Sequence, residues 1–234
     1  MNDNTPSREA KEIALEARET EGARLFSPSA ARNKQAIAEA FAALMPPQGR
    51  ILEIGAGTGE HGVTISKALP DLEWQPSDPD PTSRASIAAW AEAEGGGRVM
   101  PPLMIDVTAP AWWHEVPAAL APLSGLVSIN MIHIAPFTAA EGLFAGARAL
   151  LGEDGGLFLY GPFKRQGETA ESNHRFDASL KGRDPSWGVR DLDIGIVPLA
   201  ERNGLSLEAV REMPANNLSV VFKRTSAGPF AATS

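Results

Sequence analysis

ILEIGAGTGEH, residues 51–61, decides how the rest of the chain is read. Ile51, Leu52 and Ile54 form a short apolar run interrupted by Glu53, and glycines follow at positions 55, 57 and 59. A buried strand that opens directly into alternate glycines predicts a strand–turn–helix junction. Glycine there lets a ligand approach the backbone without a Cβ in the way. The helix behind the turn offers free N–H groups.

The same rhythm continues on both sides. SPSAARNKQAIAEAFAALMPP predicts a helix with Ser27 or Ser29 as N-cap, an apolar side of Ile37, Ala40, Phe41 and Leu44, and a stop at Pro46-Pro47. RILEIGAG then reads as a strand, GEHGVTISKAL as a helix, LEWQPSD as a second strand and TSRASIAAWAEAEGGG as a second helix closed by glycines. VMPPLMIDV is a third strand, placed nearer an edge by its two prolines. GLVSINMIHI is a fourth, apolar enough to be covered on both faces. TAAEGLFAGARALL is a helix and GGLFLYGPF a fifth strand. This alternation predicts an α/β fold, a parallel sheet with helices on both faces.

Residues 164–190 break the rhythm and predict a long polar loop, of the kind that is usually functional or disordered. DLDIGIVPLAERNG then predicts a helix, and LSLEAVREMP and NNLSVVFKR an antiparallel strand pair. Residues 1–24 read as a polar extension with a frayed helix, 25–225 as one domain, and 226–234 as a disordered tail.

The totals narrow the partners. The 234 residues carry a net charge of -8, which disfavours nucleic acid at long range. No cysteine is present, so disulfides, thiolate metal sites and a cysteine nucleophile are all excluded. No apolar run approaches the roughly 20 residues of a membrane helix. The N-terminus has no apolar stretch after its charges, so the cytoplasm is the expected location.

Three readings of the glycine turn compete. A dinucleotide site wants a third glycine at position 60, where this chain has Glu60, and a diphosphate would be repelled by that carboxylate. S-adenosylmethionine carries no phosphate and tolerates it, which favours the methyl donor. The remaining reading is a tight turn built for packing alone. Asp78, 19 residues beyond Gly59, is placed to accept from ribose hydroxyls, although it or Asp80 could instead cap the next helix. Asp106 closes the third strand and could accept from an adenine amino group beside the Val107 N–H, or act as an ordinary cap.

With these residues in hand, the chain resembles class I S-adenosylmethionine-dependent methyltransferases. More narrowly, it resembles a methyltransferase-like family formerly listed as a domain of unknown function. The resemblance covers residues 24–224 and rests on SPSAARNKQAI, ILEIGAGTGEH, WQPSDPD, INMIHIAP, LYGPF, NHRFDASL, WGVRD and MPANNLSVVF. It implies a Rossmann-like sheet of seven strands in the order 3-2-1-4-5-7-6, with only the seventh antiparallel. It also implies donor contacts at Gly55, Gly57, Gly59, Asp78 and Asp106. Glu53, Ala56, Thr58, Val107 and Asn130 join the expected cofactor set.

In this fold the end of the fourth strand faces the transferred methyl group, and here it reads Asn130-Met131-Ile132-His133. The Asn/Asp-Pro-Pro-aromatic motif of base-methylating enzymes is missing. His133 is the candidate base, with capping or core packing as its alternative. Tyr160 and Lys164, ending the fifth strand, could line the same mouth. His61 and Asn33 could touch the methionine end of the donor. Asn173, His174 and Arg175 fall in the expected lid over the substrate. The four histidines show no ligand spacing, so no metal is expected.

The resulting expectation is a methyltransferase that acts on a small-molecule acceptor at oxygen, sulfur or nitrogen and releases S-adenosylhomocysteine. The alternative is a non-catalytic S-adenosylmethionine-binding module that docks a partner through residues 164–190. The oligomeric state is left open.

Overall fold

The computed structural model describes residues 18–225. The frayed helix and the tail expected over 1–17 and 226–234 lie outside the described residues. Where the rest of that helix was expected, β1 (Glu19–Glu21) and β2 (Arg24–Phe26) form a small antiparallel hairpin. It turns at Gly22, whose φ of 61° suits glycine.

α1 (Pro28–Leu44) starts at Ser27, whose side chain accepts from the Ala30 N–H, with Pro28 in the first turn. Its buried stripe includes Ile37 and Phe41, and Phe41 meets Trp74 and Phe158 edge to face. Full burial of such a ring stabilises the fold by about 1.5–3 kcal/mol. β3 (Gly49–Ile54), α2 (Glu60–Ala68), β4 (Leu72–Ser77) and α3 (Pro81–Glu94) follow in the expected order. Then come β5 (Leu123–Ile129), α4 (Phe137–Leu150), β6 (Leu151–Lys164), α5 (Glu171–Arg183), β7 (Arg190–Asp191), α6 (Val197–Arg202), β8 (Leu205–Met213) and β9 (Asn217–Arg224).

The sheet is mixed, in the order β4-β3-β5-β6-β9-β8, with the short β7 paired to β6. β3, β4, β5 and β6 run parallel, whereas β9 is antiparallel to both β6 and β8. Strand order reverses at β3, which has β4 on one side and β5 on the other. Open α/β sheets bind ligands at the carboxyl end of such a switch point. One apolar core packs α4 and α6 against the sheet, and the other packs α1 on the opposite face.

Four elements depart from the sequence reading. The third strand is reduced to isolated bridges, Trp74–Val99 and Ser77–Leu103, because Pro101 and Pro102 have no N–H to donate. The seventh strand of the sheet is therefore the two-residue β7 and not that edge segment. The fourth strand ends at Ile129, because Asn130 turns left-handed at φ 59° and a single 3-10 turn follows. The expected loop 164–190 contains the thirteen-residue α5. The last expected helix begins as a π turn over Leu192–Ile196 before α6, whose first turn contains Pro198.

Candidate active site

The three glycines of the turn have different jobs. All have positive φ, at 69°, 60° and 91° for Gly55, Gly57 and Gly59. A Cβ on Gly59 would lie 2.9 Å from Ile87 Cα, so this glycine lets α3 pack closely. One on Gly55 would lie 2.9 Å from Met131 Cγ. One on Gly57 would meet nothing within 4 Å. Gly57 alone of the three has open space above it.

Asp78 holds that glycine in place. Its Oδ2 accepts from Gly57 N at 2.9 Å and its Oδ1 from Asp80 N at 2.9 Å. Burial raises its pKa, and the two backbone bonds partly offset the rise. Asp80 is the N-cap of α3, accepting from Ser83 N at 2.7 Å. Of the two acids, Asp80 is therefore the one that caps α3. Ala56 is tied to β4 through its N–H, which donates to the Ser77 carbonyl.

Other residues of the expected cofactor set make contacts within the protein. Glu53 is only 1 % exposed and its Oε2 accepts from Trp74 Nε1 at 2.8 Å. That oxygen lies against α2 at Gly62, where a Cβ would come within 2.9 Å of it. Burial lifts the Glu53 pKa to about 8, against the pull of the Trp74 bond. The Thr58 hydroxyl donates to Glu60, and the Thr58 carbonyl accepts from Ser86. Asp106 is exposed, with its Oδ1 accepting from Thr108 N and Oγ1, so the local cap is the geometry present there. The Val107 side chain lies in the core.

Sequence reasoning weighed Glu60 only against a diphosphate and passed over its structural role. Glu60 is 2 % exposed and accepts from Ser27 N at 2.8 Å, Lys34 Nζ at 3.2 Å and Thr58 Oγ1 at 3.1 Å. A carboxylate at a helix N-terminus also complements the helix dipole. These bonds bring the start of α1 against the start of α2. One residue along, His61 Nε2 lies 2.9 Å from Asn33 Oδ1. Burial lowers the His61 pKa to about 4. Burial raises that of the Tyr160 hydroxyl, and hydrogen bonding to Asn33 opposes the rise. Asn33, His61 and Tyr160 therefore converge from α1, α2 and the end of β6.

On the acceptor side most of the expected residues are held by the protein's own contacts. His133 lies in the 3-10 turn after β5, 1 % exposed, with neither ring nitrogen hydrogen-bonded and its ring against Phe163. Burial, aided by Arg190, lowers its pKa to about 3. A sealed imidazole this hard to protonate is a poor general base. Lys164 donates to Asp177 Oδ2 at 2.8 Å, so its charge is already paired. Asn173 faces inward and donates to Thr169 Oγ1 and the Asn216 carbonyl, which docks α5. His174 and Arg175 face solvent, and Arg175 pairs with Glu171. Arg190, also passed over, fastens this end by donating to the Ile132, Ala135 and Ser186 carbonyls.

Residues 24–224 match the model of a family described as a protein of unknown function, DUF938. The chain belongs to the DUF938 family. Solved structures extend the likeness to fold. CalO1, a methyltransferase in calicheamicin biosynthesis solved in its SAH-bound form, superposes with a TM-score of 0.68 at 17 % identity, covering 84 % of this chain and 54 % of that one. An O-methyltransferase family protein from Burkholderia thailandensis gives 0.69 at 14 % identity, covering 86 % and 58 %. Human N-acetylserotonin methyltransferase in complex with SAM gives 0.66 at 11 % identity, covering 85 % and 53 %. The DUF938 chain thus spans little more than half the length of these structures and shares their Rossmann-like α/β fold. Among its described residues no cluster of three or more His, Asp or Glu is placed to hold a metal ion. No helix among them is long and apolar enough to cross a membrane.

Proposed function

We propose that this DUF938 chain is an S-adenosylmethionine-dependent methyltransferase acting on a small molecule. The observation that carries the reading is the open space over Gly57 beside the Asp78 carboxylate, at the switch point of the sheet. The donor set suits an uncharged ribose. Asp78 keeps lone pairs for hydroxyl protons, while Gly57 lets the ligand lie on the backbone. A diphosphate fits poorly, because the buried Glu60 carboxylate already occupies the N-terminus of α2.

When bound, S-adenosylmethionine supplies an electrophilic methyl group on its sulfonium. The chain supplies position. Asp78 and the turn fix the adenosine end, and the first turn of α2, with His61 and Asn33, borders the methionine end. Asn130, Met131 and Tyr160 form the wall from which an acceptor approaches. In-line attack needs the acceptor atom held about 3–3.5 Å from the methyl carbon. Burial holds the pKa of His61 and His133 far below neutrality, which makes both weak bases, and the role this reading gives the residues around the methyl group is orientation of the acceptor.

The test is transfer of label. Donor labelled in its methyl group is incubated with the protein and a dialysable extract of small molecules. The expected result is label in a new small molecule, with S-adenosylhomocysteine released. Donor that binds and returns unchanged would overturn transfer and leave a binding module in its place.

A further inference from the structure

Two hydrogen-bonded bridges join the strand that leads into α1 to the glycine turn. In the first, the Leu25 N–H donates to Ser86 Oγ at 2.8 Å, and the Ser86 hydroxyl donates to the Thr58 carbonyl at 2.8 Å. In the second, the Ser27 N–H and the Thr58 hydroxyl both donate to Glu60 Oε2, at 2.8 and 3.1 Å. Leu25 and Ser27 are alternate residues of one extended stretch and present their N–H groups to the same side. Thr58 is thus held through both its carbonyl and its side chain. It stands between Gly57, over which the turn is open, and Gly59, which packs on α3.

The hairpin that ends at Phe26 is a weak element. β1 is exposed and β2 is half-buried, and a two-stranded hairpin alone is marginally stable in water. Its apolar anchor is Phe26, edge to face with Trp90 of α3 at 5.0 Å, where Trp90 Nε1 also donates to the Leu25 carbonyl at 2.9 Å. An element with so little buried area opens locally, at a smaller free energy than the sheet. Ser86 is fully buried, and its one hydroxyl serves the hairpin and the turn at once. Separating either partner from it leaves a buried polar group unpaired.

We propose that the β1–β2 hairpin is a clasp on the donor turn and that Ser86 is the positioning residue linking the two: a donor lying on Gly57 steadies Thr58, which keeps the hairpin docked, and a docked hairpin in turn raises donor affinity. The coupling is reciprocal, as any linkage of two equilibria must be. It rests on the donor reading given above.

The test is amide exchange in the full chain, followed residue by residue by nitrogen-15 NMR, with and without saturating S-adenosylhomocysteine. In the free protein the Leu25 and Ser27 amides should exchange faster than those of β9, and the ligand should slow them by about tenfold. Ser86→Ala and Phe26→Ala should each speed their exchange and weaken S-adenosylhomocysteine binding by about fivefold. Phe26 packs on Trp90 and makes no bond to the turn, so a loss of affinity there reports the clasp itself. The double variant should bind no worse than the weaker single, because both changes act through the same docking. Wild-type Leu25 and Ser27 amides that exchange at the β9 rate, or at the same rate with and without bound ligand, overturn the clasp and leave the donor reading intact. A Phe26→Ala chain whose hairpin amides open while affinity is unchanged does the same, as do effects of the two variants that multiply. A wild-type chain that does not bind S-adenosylhomocysteine overturns the donor reading, and this inference with it.

Discussion

The carboxyl end of the sheet is built in two ways. Over β3 and β4 the work is done by backbone: positive φ at alternate glycines, an open face at Gly57, and a carboxylate bonded to a main-chain N–H. Over β5 and β6 it is done by buried side chains: His133 with no partner, Asp177 between two lysines, Arg190 on three carbonyls. A backbone site depends on where glycine stands in the sequence. A side-chain site depends on what the finished fold brings together.

The strongest way to break this comparison is at Gly57. An arginine there meets no neighbour in the protein but fills the open space, so Gly57→Arg should weaken S-adenosylhomocysteine binding by about a hundredfold or more. Its conformational cost is only about 1–2 kcal/mol, so the variant should remain folded in a thermal melt. Gly59→Ala should do the reverse. Its Cβ collides with the backbone of α3, so stability should fall by about 3 kcal/mol in denaturant titration, with ligand affinity changed far less. Equal effects of the two variants on binding would erase the distinction among the glycines.

The same division explains what was legible in the sequence. The turn, the strand–helix alternation and the closing hairpin all follow from local pattern, and Asp78 from its spacing to Gly59. The third strand was misread because a hydrophobic run outweighed the missing N–H groups of Pro101 and Pro102. α5 was misread because its buried side is Asn173, Asp177 and Leu180, which gives no apolar period to detect. His133 looked like a strand-end base until Asn130 turned the chain and buried it. Glu60 and Arg190 each take two of their three partners from 26 to 58 residues away, which no local pattern reveals.

The acceptor half makes its own predictions, with smaller effects. The folded pKa of His133 is about 3 against an ordinary 6.5, and that of His61 about 4. Below pH 6.5 the unfolded chain therefore takes up protons that the folded chain refuses. Their contribution is complete above pH 6.5 and is lost as pH falls towards 4 and then 3. His133→Leu should keep stability at neutral pH within about 1.5 kcal/mol and make that acid slope shallower. An unchanged slope would mean that the imidazole is not sealed. Smallest of all, the exposed His174→Ala and Arg175→Ala should shift stability by no more than about 0.5 kcal/mol and leave S-adenosylhomocysteine affinity unaltered. A clear loss of affinity in either would return the start of α5 to the site.

The most direct measurement is calorimetric titration of the full chain with S-adenosylhomocysteine and, separately, with NAD. The account predicts micromolar binding of the first, its loss in Gly57→Arg, and no heat from the second. Binding of NAD without S-adenosylhomocysteine, or undiminished binding of S-adenosylhomocysteine by Gly57→Arg, would contradict the assignment of the glycine turn as the donor site.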